Sequence, residues 1–337
     1  MQAMLGELVQ LATSGSSDVR QIRAAARLMS LLEQEPQRLP ELFRYVPREA
    51  WPQPELVLGI TGAPGSGKST LTDALVAEFR RRDADRRIGV IAVDPSSPFS
   101  GGAILGDRVR MMRHATDSRI FIRSLASRGH LGGLSLGTRG ILYIMGLIGC
   151  KTVLIETVGV GQSEIEIAGV ADLVTVVLAP GYGDAIQMLK AGLLEAGDLF
   201  IINKADTEGA LQLYSALTST LNLIPADETA PKNISRIGRK RPLRRDVRLV
   251  SAMEGTGIPE LVDVLERHTI EEGARWLAER ETSLRDDVRR AVLEDARRRI
   301  GSVIDDEHLD SILRGDAAVA DISRQLLEAA ADVSVNQ

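Results

Sequence analysis

The chain has 337 residues, 44% hydrophobic and 26% charged, a balance that excludes disordered, collagen-like and low-complexity classes. At roughly 100–200 residues per domain, that length allows two domains or one large domain with appendages. With 41 Lys and Arg against 46 Asp and Glu, the net charge of -5 offers no basic footprint for nucleic acid or an anionic membrane.

Aromatics make up only 3% of the chain, so aliphatic residues must supply the core, as in α/β proteins with parallel strands of Val, Ile and Leu. Cys150 stands alone and makes no internal disulfide. The start of the chain, with Glu7 and no apolar run, is unlike a signal peptide, and Gly140 to Cys150, the longest uncharged apolar stretch, falls short of the roughly 18 residues of a membrane span. A soluble cytoplasmic protein is expected. His114, His130, His268 and His308 are scattered, and no Cys/His spacing resembles a structural zinc site.

In chain order, the first 50 residues read as helical. Ser16, Ser17 and Asp18 offer N-caps, Val19, Ile22, Ala26 and Met29 recur at helical spacing, and Pro36, Pro40 and Pro47 then punctuate the chain. From Trp51 the pattern changes to short apolar runs between glycine-rich turns: Leu56–Thr61, Ile88–Val93, Thr152–Ile155, Leu173–Ala179, Leu199–Asn203 and Val247–Val250. Strands of this length alternating with helical segments imply an α/β fold with a mostly parallel sheet flanked by helices. Between Pro225 and Asp246 lies a polar stretch with Arg236, Arg239, Lys240, Arg241, Arg244 and Arg245, either a solvated loop or a contact for an acidic partner. Residues 273–300 mix arginines and acids around Leu277, Leu284, Val288 and Val292, spaced as one face of a long helix that must bury against its own domain or another subunit. The expected division is an N-terminal helical extension (1–54), a P-loop domain (55–268) and a C-terminal helical arm (269–337).

The strongest chemical signal is Gly62-Ala63-Pro64-Gly65-Ser66-Gly67-Lys68-Ser69-Thr70, a G-x-x-x-x-G-K-[ST] match after a strand and before the helical stretch Leu71 to Arg82. Its glycines let backbone N–H groups wrap phosphates, the helix N-terminus favours negative charge, Lys68 reaches the β/γ-phosphates and Ser69 can ligate Mg²⁺. Asn203-Lys204-Ala205-Asp206 comes directly after the run Leu199–Ile202, at the carboxyl edge where doubly wound sheets bind ligands. An Asp there can accept from both N1–H and the exocyclic amine of guanine, a donor pair adenine lacks. Ser251 and Ala252, with Met253 next to them, lie just after another apolar run and can offer a backbone N–H to the guanine O6. Glu156-Thr157-Val158-Gly159 ends the strand Thr152–Ile155; its carboxylate can hold Mg²⁺ through water, and Gly159 can present its N–H to a γ-phosphate. Gln162 could position water, although it is not adjacent to Gly159. Asp94 sits at a strand end, suited to the metal's outer shell or to an Asx turn before Pro95. Asp107, Arg108 and Arg110 lie beyond it, the acid as a metal candidate and the arginines as phosphate contacts or solvated side chains.

With these residues in view, the sequence resembles the MeaB/ArgK family of GTPases associated with adenosylcobalamin-dependent methylmalonyl-CoA mutase, from about residue 50 to 270. The resemblance is carried by Val93-Asp94-Pro95-Ser96-Ser97-Pro98, Gly101-Gly102-Ala103-Ile104-Leu105-Gly106-Asp107-Arg108, Ser127-Arg128-Gly129-His130-Leu131-Gly132-Gly133-Leu134 and Glu156-Thr157-Val158-Gly159-Val160-Gly161-Gln162-Ser163-Glu164. It implies a homodimeric GTPase that uses GTP and Mg²⁺ and acts as a chaperone for a cobalamin-dependent acyl-CoA mutase, with a cobalamin adenosyltransferase as a further partner. It also implies that Asp94, Asp107 and Glu156 supply the metal-site carboxylates. The segment Pro180 to Lys190, with Asp184, Gln187 and Lys190, corresponds to a switch that communicates with the mutase. Ala185 and Ala191 depart from the commoner family wording, which leaves open a mutase for another branched or hydroxylated acyl-CoA. Three rivals stand beside this reading: a P-loop kinase of a small acceptor, a GTPase of nickel or cobalt centre assembly, and a non-catalytic, nucleotide-gated adaptor.

Overall fold

The computed structural model describes residues 2–14, 19–46, 51–95, 114, 117–127, 133–157, 167–181, 197–223 and 246–304, and positions 308, 311, 314, 318, 319, 321–324 and 326. Seven strands, β1 (Leu56–Gly62), β2 (Ile88–Pro95), β3 (Ile120–Ser127), β4 (Thr152–Thr157), β5 (Leu173–Leu178), β6 (Leu199–Ile202) and β7 (Asp246–Leu249), form one sheet in the order β3-β2-β4-β1-β5-β6-β7. Every pairing is parallel. The helices are α1 (Gln2–Thr13), α2 (Val19–Gln34), the short α3 (Leu39–Leu42), α4 (Lys68–Arg82), α5 (Gly133–Leu147), α6 (Ala210–Leu223) and the long α7 (Ile258–Val303).

Six of the strands coincide with apolar runs of the sequence, and β3 is an addition. Along the strands, alternate residues face opposite sides, and both sides are covered. Leu56, Leu58 and Ile60 join Leu71, Leu75 and Phe79 of α4 and Leu261, Leu265 and Trp276 of α7 in one core. Val57, Val153, Ile155, Val174 and Val176 join Leu28 and Leu32 of α2, Ile141 and Ile144 of α5 and Leu217 of α6 in the other. Continuous burial of β1, β4 and β5 explains why these strands read as unbroken aliphatic runs.

The N-terminal helices belong to the second of these cores. Arg123 on the edge strand β3 reaches Glu33 of α2 at 2.6 Å and the Ser30 hydroxyl at 3.1 Å. Trp51 donates its indole N–H to the Tyr143 carbonyl at 2.7 Å and meets Phe43 and Tyr143 edge to face, at centroid distances of 5.5 and 6.4 Å.

Helix α7 has no break at residue 268 and contacts both cores: Trp276 lies in the first and Leu284 in the second. Between them, Arg280 clamps Asp172, the residue that precedes β5. Its Nε donates to Asp172 Oδ1 at 2.9 Å, its Nη2 to Oδ2, and its Nη1 to the Pro54 carbonyl at 2.5 Å. Asp172 Oδ2 also accepts from the Val57 N–H at 2.6 Å, and Asp198, before β6, accepts from the Val174 N–H at 2.8 Å. These buried carboxylates tie neighbouring strands together at the amino edge of the sheet, leaving the carboxyl edge for chemistry. Among the described residues, no helix is long and apolar enough to cross a membrane.

Candidate functional site

The site begins where β1 ends. The chain turns at Gly62 (φ 137°) and re-enters a helix at Gly67, the N-cap of α4 (φ 90°). Only glycine suits Gly67: its φ is left-handed, and a Cβ would collide with the Asn203 side-chain amide. The helix therefore starts at Lys68, three residues earlier than the apolar pattern alone suggests, and its first amides face the loop. Pro64 and Gly65 are exposed, whereas Ser66 is buried and its hydroxyl donates to the Ala63 carbonyl at 2.9 Å. Lys68 is buried and folded over the loop, with Nζ donating to the carbonyls of Gly62 and Ala63, both at 2.9 Å. Thr70, two positions further along α4, is half-buried.

Glu156, only 4% exposed, enters from the end of β4. Its Oε1 accepts from the Ser69 hydroxyl at 2.5 Å and its Oε2 from the Thr72 hydroxyl at 3.0 Å. The next residue is fixed as well: Thr157 Oγ1 lies 3.0 Å from Thr61 Oγ1 on the adjacent strand. A buried carboxylate beside two hydroxyls at a phosphate-loop helix is a hard oxygen donor set suited to Mg²⁺. Asp94 occupies the end of β2, two positions beyond Ala92, which pairs with Glu156. Asp107, Gly159, Gln162, Asp184, Gln187 and Lys190 lie outside the described residues, as do Arg108, Arg110 and the basic run Arg236 to Arg245.

The second half of the site is built on the ends of β6 and β7. Asn203 Nδ2 donates to the carbonyls of Ser66 at 3.0 Å and Gly67 at 3.4 Å, while its Oδ1 accepts the Ala252 N–H at 3.0 Å. One amide thus joins the phosphate loop to the 251–257 turn, a bracing role that its place in the sequence did not reveal. Lys204 takes a left-handed φ of 58°, and the Ala205 N–H donates to the Val250 carbonyl at 2.9 Å, which turns Asp206 outward. The Ser251 side chain, the backbone N–H of Asp206 and the charge of Lys204 hold the exposed Asp206 carboxyl below the usual carboxylate range. It stays an ionised double acceptor at neutral pH. Ser251 and Ala252 are buried and Met253 is exposed, with the turn closed by Ser251 N–H donating to the Thr256 carbonyl at 2.9 Å.

The structure thus gathers Lys68, Ser69, Glu156, Asn203, Asp206 and the 251–253 turn along one edge of the sheet. The glycine-rich loop and the strand end that carries Asp206 meet there across a single asparagine. Residues 26–302 match the sequence model of a family described as methylmalonyl Co-A mutase-associated GTPase MeaB. The chain belongs to this family. A protein of Pyrococcus abyssi named as a GTPase is 40% identical over 315 residues, 93% of this chain and 89% of its own. GTPase ArgK of Escherichia coli is 46% identical over 151 residues, 45% of each chain. The mitochondrial methylmalonic aciduria type A homolog of Mus musculus is 34% identical over 230 residues, 67% of this chain and 52% of its own. Among solved structures, a LAO/AO transport system kinase superposes with a TM-score of 0.59 at 26% identity, covering 97% of both chains. This MeaB-family chain is accordingly a GTPase, a hydrolase acting on GTP.

Sequence reasoning missed Thr72. The available signal was its spacing: four residues after Lys68, it falls on the same helical face one turn on. The Thr72 hydroxyl lies 3.0 Å from the Lys68 carbonyl and 3.0 Å from the Glu156 carboxylate.

Proposed function

We propose that this GTPase is a chaperone of an adenosylcobalamin-dependent acyl-CoA mutase of the methylmalonyl-CoA mutase type, gating cofactor loading and excluding damaged cofactor. The observation that carries the reading is the family match over residues 26–302, whose description names mutase association. The mouse relative named for methylmalonic aciduria supports it.

In this reading the backbone of Gly62 to Thr70 wraps the phosphates, and Lys68 exchanges the carbonyls of Gly62 and Ala63 for the β/γ-phosphate oxygens. Asn203 keeps the two loops in register, Asp206 takes the guanine donor pair, and Lys204, Ser251, Ala252 and Met253 frame the base. Ser69 and Glu156 would hold Mg²⁺, together with Asp94 and Asp107. Bound there, the ion neutralises charge on the transferred phosphoryl group. Both Glu156 oxygens already accept from hydroxyls, so the carboxylate meets the ion's shell through its remaining lone pairs. Gly159 presents its N–H to the γ-phosphate and Gln162 orients the attacking water. Asp184, Gln187 and Lys190 carry the nucleotide state to the mutase. Hydrolysis by such a site is slow until a partner completes it, by about 10³–10⁵-fold in known switches, so the GTP state acts as a clock.

The GTPase domain spans 55–268, with the helices of 1–54 and the first part of the arm (269–337) packed on it; the arm serves a homodimer, and a cobalamin adenosyltransferase is a further partner. The test is affinity capture of acyl-CoA mutases from the native host, and then GTP hydrolysis with and without the captured mutase. A nucleotide-dependent complex with accelerated hydrolysis is expected. Unchanged hydrolysis and no complex in any nucleotide state would overturn the reading.

A further inference from the structure

Glu156 is gripped at both oxygens, and the two grips differ. Ser69 belongs to the phosphate loop and is itself a ligand in the reading above. Thr72 sits one turn deeper in α4 and is fully buried. Its hydroxyl carries one proton and faces two acceptors, the Lys68 carbonyl and Glu156 Oε2, each at 3.0 Å. A bond to a charged acceptor is roughly twice as strong as one between neutral groups, so a carboxylate that binds a cation is the favoured acceptor of the two. Helix α4 is rigid at that point: Leu71 and Leu75 are fully buried in the core on either side, and the Leu71 N–H donates to the Gly67 carbonyl at 2.9 Å. A threonine within a helix divides between two χ1 rotamers, one of which reaches the carbonyl a turn back; Thr72 takes that rotamer, and it is the one that also reaches Glu156. Were Ser69 to turn a lone pair to a cation, Thr72 would still hold the far oxygen.

We propose that Thr72 is a positioning residue for the metal-site carboxylate, fixing the rotamer of Glu156 from the helix side so that Oε1 stays beside Ser69, where the two would hold the cation. The inference rests on the assignment of Glu156 to the Mg²⁺ site. Losing an outer partner of a ligating group typically costs 10–100-fold in metal affinity. Thr72→Val keeps the branched shape and removes the hydroxyl, whereas Thr72→Ser keeps the hydroxyl.

The experiment measures release of a fluorescent GDP from the full-length protein, with Mg²⁺ titrated and with excess EDTA, in wild type, Thr72→Val, Thr72→Ser and Glu156→Gln. Thr72→Val is expected to need about tenfold more Mg²⁺ to slow release, to match wild type in EDTA, and to be rescued by Thr72→Ser. A wild-type Mg²⁺ dependence in Thr72→Val overturns the proposal. So does a defect shared equally by Thr72→Ser, or one that persists undiminished in EDTA, since either assigns Thr72 to packing. Should Glu156→Gln also keep the wild-type Mg²⁺ dependence, the failure lies with the assignment of Glu156; a defect in Glu156→Gln alone isolates the failure to Thr72.

Discussion

The clamp between Arg280 and Asp172 makes the C-terminal helix part of the GTPase unit, and its strength can be worked out. Asp172 is 5% exposed and accepts three hydrogen bonds, one from the Val57 N–H and two from Arg280. Removing Arg280 leaves a carboxylate buried against a single neutral donor. Breaking a buried pair in this way costs about 3–5 kcal/mol. The Arg280 side chain keeps 13% of its exposure, so water can partly replace it, and the lower figure of about 3 kcal/mol is expected for Arg280→Met, which keeps the apolar stem. That is a large share of the roughly 5–15 kcal/mol that holds a domain folded. The double variant Asp172→Asn/Arg280→Met removes both charges while an amide oxygen still accepts from Val57, and should recover most of the loss. The assay is urea unfolding monitored by tryptophan fluorescence, because Trp276 lies on the same helix, one turn from Arg280, and is buried in the first core. A single variant within about 1 kcal/mol of wild type, or a double variant as unstable as the single, would refute the account.

Three other outcomes are expected from the same geometry. The Glu78 carboxyl is pulled down from 4.5 to about 2, first by its hydrogen bond from Arg81 and then by Arg82, so its contribution to stability is present above the ordinary carboxylate range and is lost as pH falls toward 2; Glu78→Gln should shrink the drop in urea midpoint between pH 5 and pH 3, and an unchanged drop would contradict it. Burial raises the Cys150 thiol above its ordinary range, so a thiol reagent should leave the folded protein unmodified at pH 8 and label it on unfolding; stoichiometric labelling of native protein would count against this. Asp206→Asn replaces one of two ionised acceptors and should lower the preference for GTP over ATP about tenfold or more, from the roughly 1.5–3 kcal/mol of a hydrogen bond to a charged group, as measured by competition with a fluorescent nucleotide; a wild-type ratio would remove Asp206 from the base site.

Legibility in the sequence depended on locality. The phosphate loop, the five interior strands and the edge strand β7 are specified by neighbours in the chain, so six apolar runs and one glycine pattern placed them. The strand β3 escaped because its inner face reads Phe121, Arg123, Leu125: an arginine interrupts the alternation, and Glu33 and Ser30 of α2, 90 and 93 positions away, make it tolerable there. Asn203 reads as one residue of a nucleotide motif on sequence alone, and its bond to Ser66 spans 137 positions. Thr72 was passed over for the same reason, since its partner Glu156 lies 84 residues on.

Helix α7 carries this lesson furthest. Its sequence from 273 onward reads as an arm because the charged residues dominate there, yet the helix begins at Ile258, straight after the 251–257 turn that adjoins the candidate base site. Over the 22 steps from Ile258 to Arg280 it rises about 33 Å, from the carboxyl edge of the sheet to the amino edge. Near its start, Asp263 and Glu266 grip Arg82 at the end of α4 at 2.6 and 3.0 Å, so the helix after the phosphate loop and the helix after the base turn are locked to each other. At its midpoint Arg280 is locked to β1 and β5, the strands that lead into the phosphate loop and into the Pro180–Gly181 turn. The first half of the helix is thus anchored near its start and at the helix midpoint, which ties the helix that follows the glycine-rich loop to the segments that lead into β1 and β5.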